Sequence, residues 1–174
     1  SSKLIKVDTK KSNNFIKKIN NNYFLTEANK ENLSFVLSIA EKLRLNKKLT
    51  FRTVKKFKGL KYRQQIIYKK SKLLIINDSK STSFSSSIGI LKVHPNIFWL
   101  LGGVYKKGDK FNLPKKYYKN IKGYIFGKNQ KKFLVDLSNK IKVKNFPNLK
   151  KAWITLIKDI KNNNLNESTI LFSP

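Results

Sequence analysis

The sequence contains no cysteine, which excludes disulfides, thiolate metal sites and cysteine nucleophiles. Its single histidine, His94, precedes Pro95, and we predict that it occupies a surface or turn position. No histidine-based catalytic triad or zinc site is therefore expected. No uncharged apolar run reaches the roughly 18 to 20 residues that span a bilayer, and the first residues lack the apolar segment of a secretory signal. These absences predict a cytoplasmic protein with no membrane partner.

Acidic residues are also scarce: 9 Asp and Glu stand against 39 Lys and Arg, which gives a formal net charge of +30. Such an excess is typical of proteins that bind nucleic acid through its phosphates. However, only Arg44, Arg52 and Arg63 are arginines, the residue type that makes bidentate contacts to phosphates and bases. The abundant Lys, Asn and Ile all have A/T-rich codons, so an A/T-biased genome explains the charge. We predict no nucleic-acid partner, with a basic nucleic-acid-binding protein as the alternative.

Apolar residues make up 40% of the 174 residues, enough for the core of one domain or of one domain plus part of another. Near the start, Leu4–Val7 predicts a short strand. Asn29 is predicted to cap a helix whose apolar residues follow helical spacing. Those residues are Leu33, Val36, Leu37, Ala40 and Leu43. A second short helix is predicted over residues 50–58, with Gly59 as its stop.

The pattern changes near residues 59–63, which we take as a domain boundary. Two β-rich runs, at 64–68 and 72–76, predict a hairpin. Further strands are predicted at 97–101, 121–126, around Val143 and at 169–172, with helices carrying Phe84, Phe133 and, from Pro147 in its first turn, Trp153 to Ile160. The alternation of strand, loop and helix predicts an α/β fold with a Rossmann-like, mostly parallel sheet flanked by helices.

Ligands of open α/β sheets bind beyond the carboxyl ends of the strands. Three loops leave such ends here, at residues 77–82, 102–109 and 127–129. The first combines an amide, a carboxylate, a lysine and hydroxyls at the start of a helix, where backbone N–H groups favour anions. Taken alone, this loop also fits an ordinary helix cap. The chain contains no Gly-x-x-x-x-Gly-Lys-Ser/Thr phosphate loop, which argues against a self-contained nucleotide hydrolase.

Five segments, taken in order, resemble motifs of the Mur ligase family. Residues 29–32 resemble its "H-N-x-x-N", 57–63 its "F-x-G-L-x-H-R" and 77–82 its "N-D-S-K-A-T". Residues 101–109 resemble the "L-G-G-x-x-K-x-x-D" loop of the branch that adds D-glutamate, and 170–174 resemble "L-L-S-P". The match departs from the family pattern at Ala28 and Tyr62, both of which stand where the family has histidine.

The resemblance implies that residues 1–60 are the end of a central, ATP-binding α/β domain and that residues 61–174 are a truncated C-terminal domain. It implies an ATP- and Mg2+-dependent ligase that joins D-glutamate to UDP-N-acetylmuramoyl-L-alanine through an acyl phosphate in peptidoglycan synthesis. A Mur ligase that adds a different amino acid is the alternative within the family. We expect a monomer that is inactive alone, because the UDP-binding domain, the phosphate loop and the magnesium ligands are missing.

The resemblance also assigns roles to individual residues. The residues assigned to ATP are Asn29, Asn32, Arg63, Asp78 and Lys80. Thr82 and Lys106 are assigned to D-glutamate, with Lys106 pairing with a carboxylate. No catalytic residue and no metal ligand is assigned within this chain.

Overall fold

The computed structural model describes Val7, Thr9 and residues 12–173 of the chain. The chain divides into two units, Ser1–Lys58 and Gly59–Pro174. Most of the strand predicted at Leu4–Val7 lies outside the described residues, and Val7 itself has no regular structure.

The first unit is helical. Its elements are α1 (Ser12–Ile19), a 3-10 turn (Asn22–Leu25), α2 (Glu27–Lys42) and α3 (Lys47–Lys56). Ile16, Ile19, Phe24, Leu33 and Val54 form its buried core. The three helices thus enclose a small apolar centre of their own.

Both helix starts predicted in this unit were wrong. Thr26, in an extended conformation, is the N-cap of α2, and its hydroxyl accepts a hydrogen bond from the N–H of Asn29. Asn29 therefore lies inside the first turn and is buried. Helix α3 begins at Lys47, because Asn46 caps it by accepting from the N–H of Leu49 (3.1 Å). In both cases the helix begins earlier than predicted, because a residue nearer the N-terminus accepts a hydrogen bond from one of the free N–H groups of the first turn.

The second unit is built on a six-stranded sheet. Its strands are β1 (Gln65–Lys70), β2 (Leu73–Asn77), β3 (Ile97–Gly102), β4 (Ile121–Phe126), β5 (Lys142–Phe146) and β6 (Ser168–Phe172). The order across the sheet is β1-β2-β6-β3-β4-β5, and only the β1–β2 hairpin is antiparallel. The predicted α/β fold with a mostly parallel sheet is confirmed.

Helices cover both faces of this sheet. They are α4 (Phe84–Val93), α5 (Gln130–Leu137) and α6 (Leu149–Asn162), with a 3-10 turn at Lys115–Asn120 before β4. The buried residues of α4 and α5 pack on one face, together with Trp99 of β3, and those of α6 pack on the other face. The crossovers through α4 and α5 advance across the sheet in one direction, whereas α6 returns. Because the helices of the two directions lie on opposite faces of the sheet, all of these crossovers have the same handedness.

Two side chains in this unit differ from their predicted positions. Pro147 lies outside the first turn of α6, because Asn148 is the N-cap and its side chain accepts from the N–H of Lys151 (3.0 Å). His94 lies in the bend after α4, which agrees with the predicted turn position, but it is buried and not at the surface. It ends α4, and burial lowers its pKa from 6.5 to about 4.

Candidate functional site

Strands β2, β6 and β3 lie side by side, and their carboxyl ends meet at one edge of the sheet. Backbone hydrogen bonds tie the three ends together there. The N–H of Asp78 donates to the carbonyl of Phe172 (2.8 Å), and the N–H of Ser173 donates to the carbonyl of Leu100 (3.0 Å). The loops after β2 and β3 therefore leave from one fixed platform, as expected for a ligand site in an open α/β sheet.

Arg63, Asp78 and Lys80 are brought to one place by the turn that precedes β1. The N–H of Gln64 donates to Oδ1 of Asp78 (2.9 Å), and the N–H of Lys80 donates to the carbonyl of Tyr62 (3.0 Å). Both Tyr62 and Gln64 have positive φ (66° and 46°), which turns the chain sharply enough for these contacts. The loop at 77–82 and the segment around Arg63 thus form one structure, although they are separate in sequence.

The carboxyl group of Asp78 is the buried centre of this arrangement. Burial raises its pKa from 3.8 to about 6, against the opposing effects of the Gln64 N–H and the positive charge of Arg63. At neutral pH the group is therefore ionised, but at a desolvation cost. Arg63 and Lys80 are both exposed, and their backbone segments are joined next to Asp78, so the turn and the loop at this carboxylate each carry one cationic residue.

Thr82 and Lys106 line one pocket at the same edge of the sheet. Its apolar floor consists of Phe84, Trp99, Leu101 and Phe133. The remaining lining residues include Ser87, Val104, Tyr105, Asp109 and Ser173. The two residues assigned to D-glutamate therefore line the same pocket, although they are 24 residues apart in the sequence.

Asp109 fixes the loop that carries Lys106. Its Oδ2 accepts a hydrogen bond from the N–H of Phe84, the first residue of α4, and its own N–H donates to the carbonyl of Lys106 (3.2 Å). A carboxylate at a helix N-terminus is favoured by the helix dipole. The same contact links Lys106 to Thr82, which lies two residues before Phe84.

Two further contacts hold the middle of this loop. The hydroxyl of Tyr105 donates to Asp136 of α5 (2.5 Å). The side chain of Asn129, in the loop after β4, donates to the carbonyl of Gly103 (2.8 Å). The third loop found in the sequence thus braces the second.

A chain of buried hydroxyls at the pocket was not predicted from the sequence. The Oγ atoms of Ser81 and Ser87 lie 3.3 Å apart, and those of Ser87 and Ser173 lie 2.6 Å apart. Ser87 follows the inward-facing Phe84 by three residues on α4, and this polar residue at a core position was the available signal. Ser87 and Ser173 also line the pocket, so they offer it polar groups.

The remaining two residues assigned to ATP, Asn29 and Asn32, belong to the first unit. Asn29 is buried in α2, and its side-chain amide donates to the carbonyl of Tyr23 (2.7 Å). Asn32 is exposed on the same helix. The structure therefore gives Asn29 a role in holding the turn before α2, and a nucleotide role for either residue stays a prediction.

Among curated proteins, the chain is similar to the UDP-N-acetylmuramoylalanine–D-glutamate ligase of Wolbachia sp. subsp. Brugia malayi (strain TRS), with 29% identity covering 84% of this chain and 29% of that protein. The corresponding ligase of Buchnera aphidicola subsp. Schizaphis graminum (strain Sg) is 36% identical over 76% of this chain and 31% of that protein. The chain thus spans about a third of the length of the curated relatives it matches.

Among solved structures, the fold is similar to that of MurF from Acinetobacter baumannii, with a TM-score of 0.61 and 18% identity over 84% of this chain and 35% of that one. No family model matches the sequence. Within the described residues, every helix is too short or too polar to cross a membrane.

Proposed function

Since the chain is a relative of the Mur ligases, we propose that it is part of an ATP-dependent ligase that joins D-glutamate to UDP-N-acetylmuramoyl-L-alanine in peptidoglycan synthesis. The observation that carries this proposal is the convergence of two groups of side chains at one edge of the sheet. Asp78, Arg63 and Lys80 form one group, and Thr82 and Lys106 face the neighbouring pocket.

The first group fits a nucleotide. Oδ1 of Asp78 is engaged by the N–H of Gln64, so we assign the second oxygen, Oδ2, to the ribose hydroxyls. The cationic side chains of Arg63 and Lys80 suit phosphate oxygens. Bound ATP would supply the phosphoryl group that converts the substrate carboxylate into an acyl phosphate, from which phosphate is a good leaving group.

The second group fits the amino acid that attacks this acyl phosphate. Lys106 pairs with a carboxylate of D-glutamate, and the hydroxyl of Thr82 orients the molecule by a hydrogen bond. The amine nitrogen then attacks the acyl carbon, the bond between that carbon and the phosphate oxygen breaks, and the amine loses a proton as the amide forms. The contribution of these residues to catalysis is positioning and charge neutralisation.

No magnesium ligand is assigned among the residues described. Among them, no three His, Asp or Glu side chains gather as a metal site would require. We assign the magnesium site to a part of the ligase outside this chain and derive no step from it here.

We further propose that the chain needs additional polypeptide for ligation, and that its two units correspond to the end of a central domain and to a C-terminal domain. Helix α2 and its C-cap Leu43 support this, because Phe35, Val36, Ile39 and Leu43 are 47–64% exposed. Apolar residues at this spacing form a continuous stripe, which is typical of a surface that another part of a protein covers. Ligation by the chain alone would contradict this part of the proposal.

The test is titration calorimetry of the chain with D-glutamate and, separately, with ATP. Lys106→Ala should weaken D-glutamate binding about tenfold or more, because it removes a charge-assisted contact. The matched control is Lys107→Ala, which removes an adjacent exposed lysine that does not line the pocket. Lys80→Ala should weaken ATP binding and leave D-glutamate binding unchanged.

Equal effects of the Lys106 and Lys107 substitutions would overturn the assignment of the pocket. A panel of other amino acids in the same titration addresses the acceptor. If a different amino acid binds more strongly than D-glutamate, that amino acid is the acceptor, and the proposal of a ligase still holds.

A further inference from the structure

Trp99 is one of the residues that line the pocket, and its indole N–H stands out. Trp99 is only 1% exposed, yet its Nε1 atom is the one buried side-chain donor or acceptor without a hydrogen-bond partner in the described part of the chain. Buried polar groups nearly always have a partner, and an exception calls for an explanation. A tryptophan chosen only for packing could be replaced by an apolar residue that carries no such donor.

The surroundings hold the indole in place. Trp99 lies on β3, in the middle of the sheet, and its ring packs edge-on against Phe84 (6.1 Å between centroids) and beside Phe111 (5.8 Å). Both neighbours are almost fully buried. The ring therefore has little freedom to turn its N–H towards another protein group.

We propose that the indole N–H of Trp99 donates a hydrogen bond to a carboxylate oxygen of the amino acid bound in this pocket, which makes Trp99 a substrate-binding residue beside Lys106. The inference rests on the proposed function, because it names a further contact of the same pocket. Three features carry it: the unpaired donor, its burial and its place among the lining residues. Charged acceptors form the strongest hydrogen bonds, so a carboxylate is the best partner for a buried donor.

The same pocket already offers polar groups suited to a carboxylate. Ser87 and Ser173 present a pair of hydroxyls that are hydrogen-bonded to each other (2.6 Å), and Lys106 supplies the positive charge at the rim. Nε1 is closed to solvent, so the ligand must displace a neighbouring side chain to reach it. The rings packed against the indole are those of Phe84 and Phe111, and Phe84 also lines the pocket, so it is the side chain that the ligand would have to displace.

The sequence makes this inference unusually easy to test, because it contains only two tryptophans. In a 15N-labelled sample each gives one indole N–H resonance, and Trp153→Phe identifies that of Trp99. Trp153 lies on α6, on the opposite face of the sheet, and is 38% exposed, so it serves as the internal control. Addition of D-glutamate should move the Trp99 resonance and leave that of Trp153 in place.

The matching variant is Trp99→Phe, which removes the donor and keeps an aromatic ring. It should weaken D-glutamate binding about tenfold or more and leave ATP binding unchanged. If this variant does not fold, the wild-type indole resonance decides the question.

The failures of the two proposals are distinguishable. If D-glutamate shifts the backbone amides of Thr82 and Lys106 but not the Trp99 indole, the inference is wrong and the pocket assignment stands. If D-glutamate shifts none of these resonances, both proposals are wrong.

Discussion

Asp78 is only 5% exposed, and burial raises the pKa of its carboxyl group from 3.8 to about 6. Between these values the folded state binds more protons than the unfolded state, so the free energy of unfolding falls as pH rises. Above pH 6 the ionised group costs about 3 kcal/mol. Asp78→Asn should therefore stabilise the chain by up to about this amount at pH 7.5, with the gain vanishing near pH 4 in urea unfolding curves.

A stability gain that does not depend on pH would contradict this account. The proposed function adds a second expectation for the same variant. If the carboxylate is kept at a cost in stability because it accepts hydrogen bonds from a ribose, Asp78→Asn should bind ATP more weakly while it unfolds at higher urea.

His94 gives the opposite pH dependence. Its pKa in the folded state is about 4 instead of 6.5, so the unfolded state binds more protons between these values. Stability is therefore lost as pH falls from 6.5 to 4, by about 3 kcal/mol. The slopes of His94 and Asp78 oppose each other in wild type, and His94→Gln should leave a chain that becomes more stable on mild acidification. A His94→Gln profile parallel to that of wild type would show that His94 is not buried in the neutral form.

At the level of single residues, burial was predicted correctly where it depends on apolar content alone. It was predicted less well for polar residues. The continuous apolar run at 97–101 is fully buried, as predicted. His94, in contrast, was predicted to be a surface or turn residue, because a polar residue before a proline is typical of a turn. It does lie in a turn, but it is buried, since the sequence does not show which side chains pack over it. Ser87 and Ser173 were missed for the same reason, since their partners come from distant parts of the chain.

At the scale of elements, the types of the elements were predictable but their boundaries and order were not. Strand β4 runs over Ile121–Phe126 as predicted, because an apolar run bounded by polar residues and Gly127 defines it. The helix starts in the first unit were misplaced, because several polar residues compete to be the N-cap. The insertion of β6 between β2 and β3 is set by the path of α6 across the sheet, which local sequence does not encode.

Gly102 joins the end of β3 to the loop of Lys106, and its lack of a side chain is required by the packing. A Cβ atom there would overlap the backbone oxygen of Phe126 on β4. Gly102→Ala should destabilise the unit by about 1–3 kcal/mol and weaken D-glutamate binding, since the end of the strand must shift. Unfolding curves and calorimetry measure the two effects.

The matched control is Gly127→Ala in the loop after β4. Gly127 has a φ of +89° and nothing within 4 Å of an added Cβ, so its substitution strains only the local backbone, by about 1–2 kcal/mol. It should lower the affinity for D-glutamate much less than Gly102→Ala does, because only the contact from Asn129 to Gly103 links this loop to that of Lys106. A loss of binding in Gly127→Ala equal to that in Gly102→Ala would show that the end of β3 has no special role.

At the scale of the whole molecule, the positive charge remains the strongest argument for a different function. The net charge of +30 must attract polyanions at low salt whatever the fold does. The question is whether this attraction is specific, because an A/T-biased genome produces lysines without selecting positions for them. Three arginines among 39 basic residues offer few of the bidentate contacts that give base recognition.

We therefore expect the chain to bind a labelled DNA duplex without sequence preference. If the chain contacts six to ten phosphates, its affinity should fall by roughly 10³ to 10⁵ between 50 and 200 mM salt, as counterion release predicts. Fluorescence anisotropy measures this, with Lys80→Ala as the control. If Lys80 contacts a nucleotide, this variant should bind ATP more weakly. Its affinity for DNA should change by no more than that of a variant in which any other single lysine is replaced. Tight, sequence-dependent DNA binding at 200 mM salt would favour a nucleic-acid function over the ligase.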